Sequence, residues 1–193
     1  MGHNHIMMIR NYLLKDFTYI RSGYAFRGAV VANATTGVRV IQQRDIVSND
    51  FSDLIIRKAE SSYARCLLDP GCVLVTSRGT IRAHVFRKGF KAITTSAVFV
   101  LRVRDDVLPE YLEMYINSEM GQRQIKTHQE STTVSAITMR QIAELVVPVP
   151  DLDIQERLVR LYEMQQRQKL LQNKINVLRD KLLNNILKGV LNG

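Results

Sequence analysis

Thr76-Ser-Arg-Gly-Thr80 places an arginine in a hydroxyl-rich turn beside a glycine, and Arg82, Arg87, Lys88 and Lys91 follow closely. A guanidinium offers a fork of donors that matches O6 and N7 of guanine, while hydroxyls and amides position phosphates. The chemistry on offer is recognition of a polyanion with some discrimination between bases. Two more hydroxyl clusters, Thr94-Thr-Ser96 and Ser131-Thr-Thr-Val-Ser135, and the polar run Gln42-Gln-Arg44 carry side chains of the same kind. The candidate DNA-contacting residues are Gln43, Arg44, Ser77, Arg78, Thr80, Arg82, Lys91, Thr94, Thr95, Thr132 and Thr133. Each alone is equally a turn residue, because Ser, Thr and Gly favour turns wherever they occur.

No catalytic constellation competes with this surface. Ser77 has no histidine at a telling spacing, and Asp105-Asp106 precedes a helix start, where carboxylates suit the helix dipole. There is no phosphate-binding glycine loop and no dinucleotide fingerprint. Cys66 and Cys72 are the only cysteines, with no second pair to complete a metal site, so they read as reduced structural thiols. His84 and His128 have no partner at ligand spacing, and His3 and His5 fall in Met1–Met7, which reads as an expression leader ahead of a start at Met8.

The 193-residue chain carries a formal net charge of +9, from 27 basic and 18 acidic residues. Eight basic residues against three acidic ones lie between Ile154 and Gly189, which leaves +4 for the rest. Such an excess fits a phosphate-rich partner, since neutralised phosphates release counterions; a basic helix face is also ordinary solvated surface. With 46% hydrophobic and 23% charged residues, no membrane-length apolar run and no signal-peptide core, the expected location is the cytoplasm, with no membrane partner.

The elements that must hold the polar loops are short strands and a few helices over residues 8–150. Gly37–Ile41, Gly71–Thr76 and Ser96–Arg102 read as strands by alternation or β-branched content. Pro109–Ser118 has Leu112, Tyr115 and Ile116 at helical spacing with proline at its first position. A short helix opens at Thr138, and a strand runs from Glu144 to Val149. The expected fold class is α/β (α+β), a single domain with a mixed or mostly antiparallel sheet and no doubly wound alternation.

Pro148 and Pro150 end that domain, because helix cannot run through them. Asp153 and Glu156 then suggest a capping box, and nothing breaks helix until about Gly189, so residues 151–193 read as one long element whose helix, from Asp153 to about Leu187, spans roughly 50 Å. Leu161, Met164, Gln168, Leu171, Ile175, Leu178, Leu182 and Asn185 recur at spacings of three and four, a heptad seam with polar members that can fix register. Left in water, each large apolar side chain of that seam costs about 1.5–3 kcal/mol. A partner helix, or packing back on the chain's own domain, would relieve this.

Five segments in order resemble the specificity subunit of type I restriction-modification systems in a half-length form. They are Ser22-Gly-Tyr-Ala-Phe-Arg-Gly28, Val40-Ile-Gln-Gln-Arg-Asp-Ile46 as a strand and turn, Asp69–Ile81, which is similar to the signature G-D-I-L-x-T-S-R-G-T-I-G, Leu108–Leu112 with Asn117-Ser118, and Val147–Glu156. Arg82 stands where that signature has glycine, and the Ser131 segment lacks a glycine often found there. The resemblance implies one target recognition domain followed by one spacer helix, where full-length subunits are similar to two such units with paired helices. It also implies a non-catalytic chain that binds double-stranded DNA and addresses a methyltransferase subunit, and through the complex a restriction and motor subunit, to a bipartite target. S-adenosylmethionine would belong to the methyltransferase, ATP and magnesium to the motor, and no cofactor to this chain. Self-pairing as a homodimer would run through Leu161, Met164, Gln168, Leu171, Ile175, Leu178 and Leu182. The alternative is a coiled-coil assembly or decoy module that binds partner proteins without reading DNA; a nuclease or methyltransferase fragment is disfavoured by the missing motifs.

Overall fold

Val38-Arg-Val alternates inward and outward, and Val73-Leu-Val75 is apolar throughout; both runs form strands. The computed structural model describes residues 9–87, 89–130 and 136–191. In chain order these form β1 (Arg10–Leu13), α1 (Leu14–Phe17), β2 (Thr18–Ser22), β3 (Val38–Ile41), α2 (Gln43–Ser48), β4 (Ile55–Arg57), a 3-10 helix (Ser61–Cys66), β5 (Val73–Thr76), β6 (Ala83–Val85), β7 (Ala92–Thr94), β8 (Val98–Val103), α3 (Pro109–Asn117), α4 (Glu119–Glu130), α5 (Met139–Ala143), β9 (Val146–Val149) and α6 (Leu152–Leu191). The chain divides into two units, residues 1–155 and 156–193. No helix among the described residues is long and apolar enough to cross a membrane.

The strands make three sheets. β2-β8-β5-β6 is antiparallel throughout, β4-β3-β7 joins an antiparallel to a parallel pair, and β1 pairs with β9. β3 separates two apolar clusters, because successive side chains on a strand point to opposite faces. Val38 and Val40 pack with Tyr63 and Ile93, whereas Ile41 joins Leu74, Phe86, Ala92, Val98 and Val100.

Two sheet edges end on helix side chains instead of strands. On the open side of β6, Ala83 N donates to Asn117 Oδ1 (3.0 Å) and Asn117 Nδ2 to Ala83 O (2.9 Å), while Val85 N donates to Glu113 Oε2 (3.2 Å). β9 repeats the device: Val146 N donates to Gln124 Oε1 (3.0 Å) and Gln124 Nε2 to Val146 O (2.9 Å). Tyr115 OH also donates to Val146 O (2.7 Å), and Tyr111 OH to Pro148 O. Burial, then the neighbouring Tyr115, pushes the Tyr111 phenol up to about 12, so it stays a donor at neutral pH. Pro148 is two residues from Val146 and so presents its backbone to the same side. Its missing N–H falls on this helix-covered edge and removes no bond to β1.

Several boundaries differ from the sequence expectation. α6 begins at Leu152, with Ile154 N and Gln155 N both donating to Asp151 O (3.0 Å each), so Asp153 sits inside the first turn instead of capping it. Glu156 pairs with Arg160 one turn on (2.8 Å). β9 starts at Val146, since Glu144 N and Leu145 N still bond to carbonyls of α5. Gln43–Ser48 is helix where a turn was expected; Gln42 N donates to Asp45 Oδ2 (2.7 Å), which starts it. Met1–Met7, the expected leader, lies outside the described residues.

Candidate nucleic-acid interface

β3, β5 and β7 end in polar segments, and backbone bonds stitch the exits together. Thr95 N donates to Ile41 O (3.2 Å), and Ser77 donates through both N (2.9 Å) and Oγ (3.0 Å) to Ala97 O. The turn after β5 is closed by the buried Thr76, whose Oγ1 donates to Thr80 O (2.9 Å) and accepts from Arg82 N (2.8 Å). Gly79 sits at φ +58°, a left-handed conformation that a side chain would strain.

All four carbonyls of that turn are occupied by donors from different places. Ser77 O accepts from Ile137 N (2.9 Å), Arg78 O from Gln43 Nε2 (2.7 Å), Gly79 O from Gln129 Nε2 (3.3 Å) and Thr80 O from Thr76. With its acceptors used, the turn offers solvent the exposed Arg78 and Thr80 and the half-buried Arg82. The Arg78 guanidinium has no partner among the described residues. A fixed backbone carrying an exposed guanidinium suits an incoming acceptor, such as a phosphate or a guanine edge.

The other candidates fall into three groups. Arg44 is exposed at the start of α2 with Nε 3.4 Å from Asp45 Oδ1, and half-buried Thr95 lies in the stitched segment, so both accompany Arg78. Gln43 spends its amide on Arg78 O and therefore acts on the turn. Ser77 (6% exposed) and Thr94 (0%) lie inside the domain, where their hydroxyls cannot reach a duplex. Thr94 packs under Gly23 so closely that a Cβ on the glycine would stand 2.2 Å from Thr94 Oγ1, which explains glycine at that point. Lys91 precedes β7 at its opposite end, where Lys91 O accepts from Arg39 N (3.0 Å); the structure does not bring it to the cluster. Thr132 and Thr133 lie outside the described residues.

Among residues that sequence reasoning missed, Gln129 and Ile137 hold the turn from α4 and from the segment before α5. Nothing in a glutamine's type or spacing announces which carbonyl it will meet. Elsewhere, His84 stacks on Phe51 (centroids 4.5 Å apart) with Nδ1 3.8 Å from Glu113 Oε1. Burial pushes the Cys72 thiol up to about 11, which keeps it protonated and unreactive at neutral pH. Among the described residues there is no group of three His, Cys, Asp or Glu that could hold a metal ion.

The α6 seam is open to solvent. Leu161, Met164, Gln168, Leu171, Ile175, Leu178 and Leu182 are all exposed, the apolar ones from 43% (Ile175) to 68% (Met164). Leu170, Val177, Leu183, Ile186 and Leu187, which were not assigned from sequence, are exposed as well.

The family model for the type I restriction modification DNA specificity domain matches residues 10–182. A solved chain from work on complex assembly and conformational transition of the type I R-M system is similar at 19% identity and TM-score 0.66, over 86% of this chain and 41% of that one. The HsdS subunit of Thermoanaerobacter tengcongensis is similar at 18% identity and TM-score 0.61, over 83% and 38%. The type I restriction-modification S subunit of M. genitalium is similar at 12% identity and TM-score 0.60, over 93% and 45%. At these identities the likeness is one of fold, and the chain spans less than half the length of each. No curated protein matches.

Proposed function

Because the chain belongs to the type I restriction-modification DNA specificity family, we propose that it is a DNA-reading subunit without catalysis of its own. It would direct a methyltransferase subunit, and through the complex a restriction and motor subunit, to a bipartite target in the cytoplasm. The observation that carries this reading is the Arg78-Gly-Thr80 turn, with its carbonyls internally bonded and its guanidinium without a partner among the described residues, at the joined exits of three strands. Arg78 would read a base, while Arg44, Thr80, Arg82 and Thr95 make flanking contacts and Gln43 holds the turn. Thr132 and Thr133 belong to the same proposal by residue type alone.

Arg78→Ala should weaken binding to the cognate duplex by about 1–3 kcal/mol and relax specificity at one position, as loss of a bidentate base contact does. Its melting temperature should not change, since the side chain has no partner among the described residues. Equal weakening on every duplex would instead assign Arg78 to phosphate.

Two copies would pair through α6, which the exposed heptad seam supports. A two-fold dimer must then read an inverted repeat interrupted by unread bases, with half-site centres roughly 34 Å apart if both domains face one side of the duplex. Mapping methylated adenines with the partner methyltransferase present should return an interrupted palindrome. A continuous or asymmetric motif would mean pairing with a different specificity chain, or a reading unit that is not the dimer. The exposed seam also suits an assembly module that never reads DNA, and the absence of any salt-dependent duplex shift, even with the methyltransferase, would favour that second reading.

A further inference from the structure

α4 follows the reading turn along one face. Gln122 Nε2 donates to Ile81 O (3.1 Å), and Gln129 Nε2 donates to Gly79 O (3.3 Å). Positions 122, 126 and 129 stand at i, i+4 and i+7, which a helix stacks on one face. With its two ends tied in this order, the helix runs antiparallel to Gly79-Thr-Ile81 and brings Lys126 level with Thr80. Lys126 is exposed and has no partner among the described residues, whereas Arg123, on the same helix, is paired with Glu119.

From this geometry we infer that Lys126 is a phosphate-contacting residue of the interface, and that α4 forms a wall of it. The inference rests on the DNA-reading assignment above. Three cations, Arg78, Arg82 and Lys126, then border a turn whose carbonyl oxygens are all bonded, so little negative charge opposes an approaching phosphate. The division of labour follows from side-chain chemistry. An arginine fork matches a base edge, while a lysine ammonium is a compact charge on a flexible stem that suits a phosphate in any sequence. Gln122 and Gln129 are positioning residues here, since they set the helix against the turn without meeting DNA.

The test is titration of a random-sequence duplex by the full chain, alone and with its methyltransferase subunit, over a range of salt concentrations. Lys126→Gln should bind every duplex several-fold more weakly at low salt, with the difference closing as salt rises. The slope of log affinity against log salt should fall by about 0.9, the share of one phosphate. Lys126→Arg should restore the slope, and both variants should melt with the wild type. An unchanged slope and affinity in Lys126→Gln would overturn the inference, as would earlier melting with binding lost in proportion. A wild-type chain that shows no salt-dependent binding in either form would take down the DNA-reading assignment together with the lysine. Binding by the wild type with an indifferent Lys126→Gln variant takes down the lysine alone.

Discussion

Leu171→Glu together with Leu178→Glu is expected to give a monomer at micromolar concentration by light scattering, where the wild-type chain should give a dimer. Each leucine buried in a helix pair is worth about 1.5–3 kcal/mol, and a two-fold axis counts both substitutions twice, so roughly 6–12 kcal/mol of association energy is at stake. Every 1.4 kcal/mol is about tenfold in affinity, so even the lower figure moves a nanomolar complex out of reach. Both side chains are exposed in the single chain and glutamate is a good helix former, so the folded recognition domain should survive. A double variant that stays dimeric would remove this seam from the interface and direct attention to Leu170, Val177 and Leu183. With the dimer lost, the interrupted palindrome should be lost too, which connects the helix to the form of the target.

The second large effect should come from Gln155→Ala. Gln155 is 0% exposed, yet it carries a carboxamide at the start of a helix whose later turns are solvated. Its Oε1 accepts from Leu108 N (2.9 Å), and its Nε2 donates to Asp106 O (3.0 Å) and Pro150 O (2.8 Å). It thereby fastens the first turn of α6 to the approach of α3. Stranding three backbone groups, at about 1–3 kcal/mol each with some relief from water, predicts a loss of roughly 3–6 kcal/mol. For a chain of this size that is a fall in melting temperature on the order of 10 °C, read by circular dichroism. Gln155→Glu should not rescue, since it keeps the acceptor for Leu108 but sets an oxygen against two carbonyls. Melting within a degree or two of wild type would show that other contacts hold this junction.

Much of the scaffold was legible because its signals are local. Alternation marks β3, Pro109 starts α3, and Thr138 caps α5 through Oγ1 accepting from Gln141 N (3.2 Å). α4 was not legible. Among its described residues only Gly121 and Ile125 are buried, and its glutamines answer to backbone groups far away in sequence. The division into three sheets was equally hidden, since a period of two says which face is buried and not which strand lies alongside. At the site, residue type identified Arg78 and Thr80 but grouped them with Ser77 and Thr94, which carry the same hydroxyl chemistry inward. Thr76 shows the converse: left out of the candidate contacts, it supplies the hydroxyl that shapes the turn. Type names the chemistry, and exposure decides whether a ligand can meet it.

The carboxamide caps on β6 and β9 have different histories during synthesis. Asn117 and Glu113 emerge from the ribosome after β6, so that strand spends an interval with bare amides and carbonyls, a template on which a neighbouring nascent chain could add a strand. Gln124, Tyr111 and Tyr115 all precede β9, and the last strand enters a seat already made. For β6 the interval open to misassembly on a crowded polysome therefore closes with α3, well before translation reaches the helix through which two finished copies would meet.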